Sequence, residues 1–291
     1  MVNRARRADL HSHTVYSDGR LEPAALAEKA AARGLSALAL TDHDTLEGIP
    51  SFCAAAESAG IRAVPGVEIS VEFQGRERHV LAYFVDPDAE ELGALVRRSR
   101  EDRKRRAEEI AEKLAALGVE IDAAETNRRA RGAATRAHMA RALKEAGYVA
   151  TSQEAFERWL LEGRPAYAPR RLPSLREAAL AAKRAGGVVA LAHPTGFDEE
   201  DIRAVVEEGV EAIEATHPSI KRARSRELRR IAEKYFLHVV GGSDYHGAPS
   251  DESNFGAYAV REEAIDKMLE WRERRPPVGV APKDDPPDVL N

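Results

Sequence analysis

Short apolar runs alternate with alanine-rich amphipathic segments at the start of the chain and again after Pro173. Pro23 to Arg33 predicts a helix, because proline suits the first helical position and Gly34 suits the helix end. The repeated alternation of strand and helix predicts a mainly parallel sheet with helices packed against it. The predicted strands cover 8–10, 38–41, 61–64, 78–85, 187–192, 210–215 and 237–241. The other predicted helices of this pattern cover 50–59, 175–185, 201–208 and 219–234.

A different pattern occupies the stretch between Asp86 and Pro173. It predicts one long charged helix over 89–117, ended by Gly118, and shorter helices over 136–146 and 153–161. We interpret this stretch as a helical insertion into a barrel, because its pattern lacks the strand and helix alternation. The predicted units are a discontinuous barrel (1–86 and 173–275), a helical insertion that caps the substrate site (87–172) and a loose proline-rich tail (276–291).

Metal-ligand residue types directly follow four of the predicted strands, in the segments 11–13, 42–44, 65–68 and 244–246. His11 and His13 are two positions apart on a strand end, so both rings can project to one face. Because the carboxyl ends of barrel strands share one mouth, we expect these clusters to converge on a single site. Each cluster alone also has an ordinary interpretation, such as a surface polar pair, a turn aspartate, a helix N-cap or an exposed carboxylate. Six of the nine histidines fall at strand ends or starts, which makes metal binding the favoured interpretation: His11, His13, His43, His79, His193 and His246.

The candidate ligand set contains imidazoles and carboxylates but no thiolate cluster. Cys53 is the single cysteine, which excludes an internal disulfide and fits a reducing cytoplasm. Nitrogen and oxygen ligands suit zinc, manganese, iron or cobalt, and they suit clusters bridged by a carboxylate. Glu68 is the natural bridging group, since a carboxylate has two oxygens to share.

Charge and hydropathy exclude some classes of protein. The net charge of −5 argues against a protein that coats nucleic acid, and no stable DNA partner is expected. An arginine-rich stretch from Arg97 to Arg106 can still hold a phosphate-rich substrate. No apolar stretch approaches the roughly 18 residues of a membrane span, and no secretory signal follows Met1 to Arg7. We therefore expect a cytoplasmic protein without a membrane partner.

The remaining histidines have weaker signals. His238 lies inside an apolar run and is expected in the core or on the opposite face of its strand. His217, beside Pro218, sits at a strand end and is ambiguous. For His138, on a helix of the insertion, a solvated face and a substrate contact remain alternatives.

The chain resembles the PHP (polymerase and histidinol phosphatase) superfamily, whose four signature motifs occur here in order, and six segments carry the match. They are Asp9-Leu10-His11-Ser12-His13, Tyr16-Ser17-Asp18-Gly19, Thr41-Asp42-His43-Asp44, Pro65-Gly66-Val67-Glu68, Ala192-His193-Pro194 and Gly242-Ser243-Asp244-Tyr245-His246. The segments 79–84, 135–138 and 163–167 are similar to the branch that contains ribonuclease AM and bacterial nucleoside-monophosphate phosphatases. The resemblance implies an α/β fold, a distorted (β/α)7 barrel of PHP type with an inserted small helical domain, and a site for three divalent metals.

The resemblance also implies residue roles. The first metal would be held by His11, His13, Glu68 and Asp244. The second would be held by Asp18, His43 and His246, and the third by Glu68, His79 and His193. The implied substrate contacts are Asp44, Arg100, Arg103, His138 and Arg164. The family often carries lysine where this chain has Arg164, which changes the geometry of that contact. Asp44 and His193 are the candidates for protonating the leaving group, and a water bound to the metals is the alternative.

The function expected from this resemblance is hydrolysis of nucleotide phosphomonoesters by attack of a hydroxide generated on the metals. Nucleoside 3′,5′-bisphosphates or monophosphates are the expected substrates, together with 5′ to 3′ trimming of short single-stranded RNA. Manganese is the favoured ion, with zinc and iron as alternatives. A histidinol-phosphate phosphatase and a non-catalytic nucleotide-binding scaffold are the alternatives. The insertion disfavours the first, and the complete ligand set disfavours the second.

Overall fold

A computed structural model describes residues 6–131 and 134–275; the predicted tail, 276–291, lies outside these ranges. The strands are β1 Arg7–Asp9, β2 Ala37–Leu40, β3 Arg62–Phe73, β4 Arg76–Tyr83, β5 Val188–Leu191, β6 Ala212–Thr216, β7 His238–Gly241 and β8 Val260–Arg261. The helices are α1 Pro23–Ala32, α2 Ile49–Ser58, α3 Glu90–Ala115, α4 Ala123–Arg129, α5 Arg136–Glu145, α6 Ser152–Ala155, α7 Leu175–Arg184, α8 Glu199–Glu207, α9 Arg222–Lys234 and α10 Glu263–Arg274. A π-helical turn, Phe156–Leu160, continues α6.

The strands form one sheet in the order β7-β6-β5-β4-β3-β2-β1-β8. The triplets β1–β2–β3 and β5–β6–β7 are parallel, whereas β4 runs antiparallel to both of its neighbours. The sheet closes almost fully, because the Leu10 N–H donates to the Gly241 carbonyl and the His13 N–H donates to the Tyr245 carbonyl (3.1 and 2.9 Å). The predicted α/β barrel is confirmed, with a hairpin in place of one strand–helix crossover.

Side chains alternate between two apolar layers along the strands. Ala37 and Ala39 of β2 point into the barrel, while Leu38 and Leu40 pack against the surrounding helices. The interior is lined largely by alanine and valine, and Met268 of α10 packs into the same cluster. Small interior residues let the strands curve tightly, so the barrel has a filled core rather than a pore.

The long helix α3 connects two hydrophobic clusters. Its first half, including Leu92 and Leu95, packs with the outer layer of the barrel. Its second half, including Ile110 and Leu114, packs in a separate cluster that ends at Ala168. The helical stretch thus has apolar contacts of its own, while the boundaries placed at residues 86 and 173 stay a prediction. Among the described residues, no helix has the length and apolar character needed to cross a membrane.

Three local expectations differ from the structure. The helices α4 and α10 and the strand β8 were not predicted, and 153–161 is a single α-helical turn followed by π-helix. β3 and β4 extend as a long hairpin, in which Gln74 and Gly75 both adopt positive φ. No helical pattern separates these two strands, so a hairpin is their only short connection.

Closure of the barrel predicts that Gly242 cannot carry a side chain. A Cβ placed there would lie 2.4 Å from the Cβ and backbone nitrogen of His11. We expect Gly242→Ala to lower the free energy of unfolding by about 1–3 kcal/mol, through overpacking at the junction of β7 and β1. Gly196→Ala is the matched control, because a Cβ placed at Gly196 would meet no described atom within 4 Å. Denaturant unfolding of both variants is the measurement, and equal stabilities would contradict this account of closure.

Candidate metal centre

The nine residues assigned to metals by the sequence lie together at one end of the barrel. His11 and His13 follow β1, His43 follows β2, and Glu68 and His79 lie on β3 and β4. The remaining four lie in loops that follow strands: Asp18, His193, Asp244 and His246. Most of these side chains are buried, so the strand ends bring imidazoles and carboxylates into a space with little water.

Glu68 occupies the middle of this group. Its Oε2 lies 3.1 Å from His11 Nε2, 3.3 Å from His13 Nε2 and 3.3 Å from His43 Nδ1. Its Oε1 lies 2.9 Å from His79 Nδ1 and 3.1 Å from His193 Nε2. The two oxygens therefore face different histidines, as a bridging carboxylate requires.

Two further carboxylates lie on the flanks of the centre. Asp244 Oδ1 is 3.1 Å from His13 Nε2 and 3.4 Å from His11 Nε2. Asp18 Oδ1 is 3.1 Å from His246 Nε2. The donor atoms fall into compact groups, within 4.8 Å of one another: His11, His13, Glu68 and Asp244; His13, Asp18, His43 and His246; and His43, Glu68 and His79.

The donor set fits divalent metal ions. Asp18 Oδ1, His43 Nδ1 and His79 Nδ1 are buried and have no hydrogen-bond partner within the described residues. Buried unpaired polar atoms are costly, and each of these atoms is a ligand type for zinc, manganese or iron. Cations placed among them would satisfy these atoms and would offset the crowding of carboxylates.

Electrostatics in the centre depend on burial and on the neighbouring charges. Burial opposes ionisation of Glu68, but the charges of His43, His11 and His79 outweigh it and hold the pKa of this carboxyl well below its usual range. Burial lowers the pKa of His43 to about 3. For His246, Asp18 outweighs burial and raises the pKa to about 10. Glu68 is thus held as an anion, the state in which a carboxylate binds a metal.

Turns with positive φ orient several side chains at the mouth of the barrel. Asp44, His193 and Asp244 have positive φ angles of 50, 31 and 51°, which are uncommon for residues with a Cβ. Each directly follows a strand or its end and turns the chain sharply at the mouth. Such conformations cluster at functional sites and persist because surrounding contacts hold them.

A cleft of about 160 Å³ opens beside the centre, between the barrel and the helical insertion. Its lining includes Asp18, His43, Glu77, His79, Arg103, Arg106 and Arg136. Arg106 and Arg136 both lie 3.8 Å from the same oxygen, Oε2 of Glu77. Burial opposes ionisation of Glu77, but Arg170 and Arg106 outweigh it and lower its pKa to about 2. Two guanidinium groups therefore share one carboxylate oxygen, which leaves positive charge next to the metal centre.

Asp44 is fully buried and ion-paired with Arg103, which lines this cleft. Its Oδ2 lies 2.6 Å from Arg103 Nη2 and 3.2 Å from Arg170 Nη2, and its Oδ1 accepts the Ser70 N–H. Burial opposes ionisation, but Arg103 and then Arg170 outweigh it and hold the pKa of Asp44 well below its usual range. Asp44 is consequently an ionised anchor for two arginines.

The other predicted substrate contacts lie in different settings. Arg100 forms an ion pair with Glu47 and donates to the Arg131 carbonyl at 2.6 Å. Arg164 lies on an exposed turn and is not among the residues that line the cleft. His138 is buried, and its Nδ1 accepts the Thr135 N–H at 3.1 Å, so the interpretation as a solvated helix face is wrong. Burial lowers its pKa to about 4.

Sequence reasoning missed several residues at this site. Arg106 and Arg170 were not singled out, because their position depends on how the insertion packs on the barrel. Glu214 and His217 are buried directly behind the centre. The run 210–215 contains two glutamates, Glu211 and Glu214, and their odd spacing on a strand places one of them on the inner face, which was the available signal for Glu214. His238, in contrast, lies beside Trp271, with 6.1 Å between ring centroids, as an opposite-face residue.

Comparison with known proteins gives the centre a context. The family model of the PHP domain matches residues 9–160. A 5′-3′ exoribonuclease of Haemophilus influenzae is 33% identical over 83% of this chain and 90% of its own length. A 3′,5′-nucleoside bisphosphate phosphatase of Chromobacterium violaceum is 33% identical over 84% of this chain and 88% of its own length. A solved structure from Bifidobacterium adolescentis, described as a metal-dependent phosphoesterase, superimposes with a TM-score of 0.84 at 30% identity, over 92% of this chain and 97% of that one. This chain belongs to the PHP domain family.

Proposed function

We propose that this protein is a metal-dependent phosphoesterase that hydrolyses nucleotide phosphomonoesters and trims short single-stranded RNA from its 5′ end. The observation that carries the proposal is Glu68, a buried carboxylate whose two oxygens face separate groups of histidines. The phosphatase and exoribonuclease relatives support the substrate class. Nucleoside 3′,5′-bisphosphates and monophosphates are the proposed small substrates.

The metals would be held by the three ligand sets that the family resemblance assigns, with Glu68 shared between the first and the third. Three divalent ions are proposed, with manganese favoured and zinc or iron as alternatives. Bound divalent ions neutralise phosphoryl oxygens and lower the pKa of coordinated water towards about 7. A cytoplasmic location stays a prediction.

The cleft supplies the substrate contacts in this proposal. Arg106 Nη2 is buried without a hydrogen-bond partner in the described part of the chain, and Arg136 is partly exposed beside it. Guanidinium groups bind phosphate oxygens through charge-assisted hydrogen bonds. A second phosphate of a bisphosphate, or the next phosphate of an RNA, can thus bind here while the scissile phosphate lies at the metals.

Asp44 has a supporting role in the same proposal. Its ion pairs with Arg103 and Arg170 favour the ionised carboxylate, which makes Asp44 the weaker of the two candidates for the leaving-group proton. Asp44 instead holds Arg103 at the edge of the cleft, next to His43 and His79. The Nε2 of His193 faces Glu68 at 3.1 Å as a proposed ligand of the third metal, so this residue is a candidate proton donor only through its Nδ1.

Glu68→Ala should remove bound metal and activity while the barrel persists. The substitution deletes both oxygens that face the two histidine groups, whereas the apolar core does not depend on them. The loss of turnover should exceed the roughly 10–100-fold typical of losing a partner behind a ligand. Metal analysis of the purified variant and its circular dichroism are the measurements. Full metal content with normal turnover would overturn the bridging role.

Arg136→Ala should raise KM for nucleoside 3′,5′-bisphosphate far more than for a small aryl phosphate, with kcat on the aryl ester unchanged. Only the nucleotide has a second phosphate for this side chain to contact, and one charge-assisted contact is worth about 1.5–3 kcal/mol. Arg164→Ala is the matched control, because Arg164 lies on an exposed turn outside the cleft. A shift in KM on the Arg164 variant alone would place the phosphate contact where the sequence suggested it.

The proposed function itself is tested by one substrate panel with added manganese. It contains a nucleoside 3′,5′-bisphosphate, a nucleoside monophosphate, histidinol phosphate and end-labelled 5′-phosphorylated RNA, single-stranded and hairpin. We expect nucleotide hydrolysis and stepwise removal of nucleotides from the free 5′ end, stopping at the duplex. RNA cleavage should weaken with added salt, since arginine contacts to phosphate release counterions. Internal cleavage products, or preferred hydrolysis of histidinol phosphate, would contradict the proposal.

A further inference from the structure

None of the nine residues assigned to the metals lies on the strand β6. Two buried ionisable residues nevertheless lie behind those nine, one on β6 and one just after its end. Glu214 is fully buried within the apolar strand, and His217 follows the strand end, also buried. A carboxylate inside an apolar strand is costly unless each of its oxygens is engaged. Its contacts therefore indicate what it does.

Glu214 contacts two of the proposed ligand residues at once. Its Oε1 lies 3.2 Å from His11 Nδ1, and its Oε2 accepts the backbone N–H of His193 at 2.8 Å. His193 has a φ of 31°, so its backbone needs external support to stay in this conformation. One side chain on β6 thus ties together residues that follow β1 and β5.

The contact with His11 also decides which of its ring nitrogens is free. His11 Nε2 faces Glu68 and Asp244, at 3.1 and 3.4 Å, which is the position proposed for the first metal. With a metal bound on the Nε2 side, the single hydrogen of a neutral imidazole lies on Nδ1, where Glu214 accepts it. The lone pair of Nε2 is then directed at the metal position.

His217 acts in the same way on a carboxylate. Its Nδ1 accepts the Ser219 N–H at 3.0 Å, which leaves the ring hydrogen on Nε2. Nε2 lies 3.4 Å from Asp244 Oδ2, while Asp244 Oδ1 faces His11 and His13. His217 Nε2 is buried without a hydrogen-bond partner among the described residues, so this Asp244 oxygen is the acceptor nearest to its N–H, and the other oxygen is directed towards the first metal position.

We propose that Glu214 and His217 are positioning residues for the first metal: Glu214 fixes the ring tautomer of His11 and the backbone of His193, and His217 orients Asp244. The inference rests on the proposed metal centre. Neither residue contacts the substrate in this account, and both act through the ligands in front of them. Partners behind metal ligands typically change metal affinity by about 10–100-fold.

The test uses zinc alone as the probe, because zinc is diamagnetic and permits NMR of the ligand rings. Zinc affinity and stoichiometry are measured by competition with a chelator for wild type, Glu214→Gln, Glu214→Ala and His217→Asn. Glutamine can still accept from His11, but its amide nitrogen cannot accept the His193 N–H, so Glu214→Gln should fall between wild type and Glu214→Ala. Glu262→Gln is the matched control, because Glu262 is a buried carboxylate that pairs with Arg6 and Arg62 instead.

We expect the affinity for one zinc equivalent to fall about 10–100-fold in the Glu214 and His217 variants, which we call the β6 variants, and to stay unchanged in Glu262→Gln. The ¹⁵N shifts of zinc-loaded wild type should show hydrogen on His11 Nδ1 and zinc on Nε2, and zinc-loaded Glu214→Ala should lose this single state. Unchanged zinc affinity and tautomer in folded β6 variants would overturn this inference alone. If wild type itself binds no zinc and hydrolyses no nucleotide, the proposed function fails instead. His217→Asn keeps the test decisive if the Glu214 variants do not fold.

Discussion

The arrangement of the metal centre depends on one buried interaction, the contact of the Glu68 carboxylate with five imidazole rings. An ionised carboxylate loses several kcal/mol of hydration when it is buried, so it needs compensating charge or hydrogen bonds. The compensating rings come from β1, β2, β4 and the loop after β5. A barrel is suited to this task, because it brings the ends of strands that are distant in sequence to one mouth.

Other buried carboxylates fix the loops that this arrangement needs. Asp9 accepts N–H groups from Ser243 and Gly256, which holds the segment leading to Asp244. Asp42 accepts the Thr14 N–H and the Ser17 hydroxyl, which holds the loop leading to Asp18. The proposed ligands are thus supported by a second layer of hydrogen-bonded carboxylates, which consists of Asp9, Asp42 and Glu214. Removing one partner of such a buried network costs more than the net worth of its hydrogen bond.

The sequence indicated the metal centre better than the substrate cleft, for a physical reason. Histidines and carboxylates at strand ends are local patterns, and barrel topology alone brings them together. Glu77, Arg106 and Arg170 meet only because α3 packs across the barrel mouth, which periodicity does not specify. The strand β4 was predicted over 78–85, but its antiparallel direction was not, because the pattern of apolar residues is the same in either strand direction. The sequence indicated Asp44 as a site residue. It did not indicate the ion pairs of Asp44, on which the protonation state of this carboxyl depends.

The central claim is that Glu68 bridges separate metal ions. Anomalous diffraction from crystals grown with manganese tests it most directly, because each bound ion gives its own peak. The account predicts peaks on both sides of the Glu68 carboxylate, with its two oxygens bound to different ions. A single ion on one side, with the other oxygen of Glu68 held only by hydrogen bonds from His79 and His193, would contradict it.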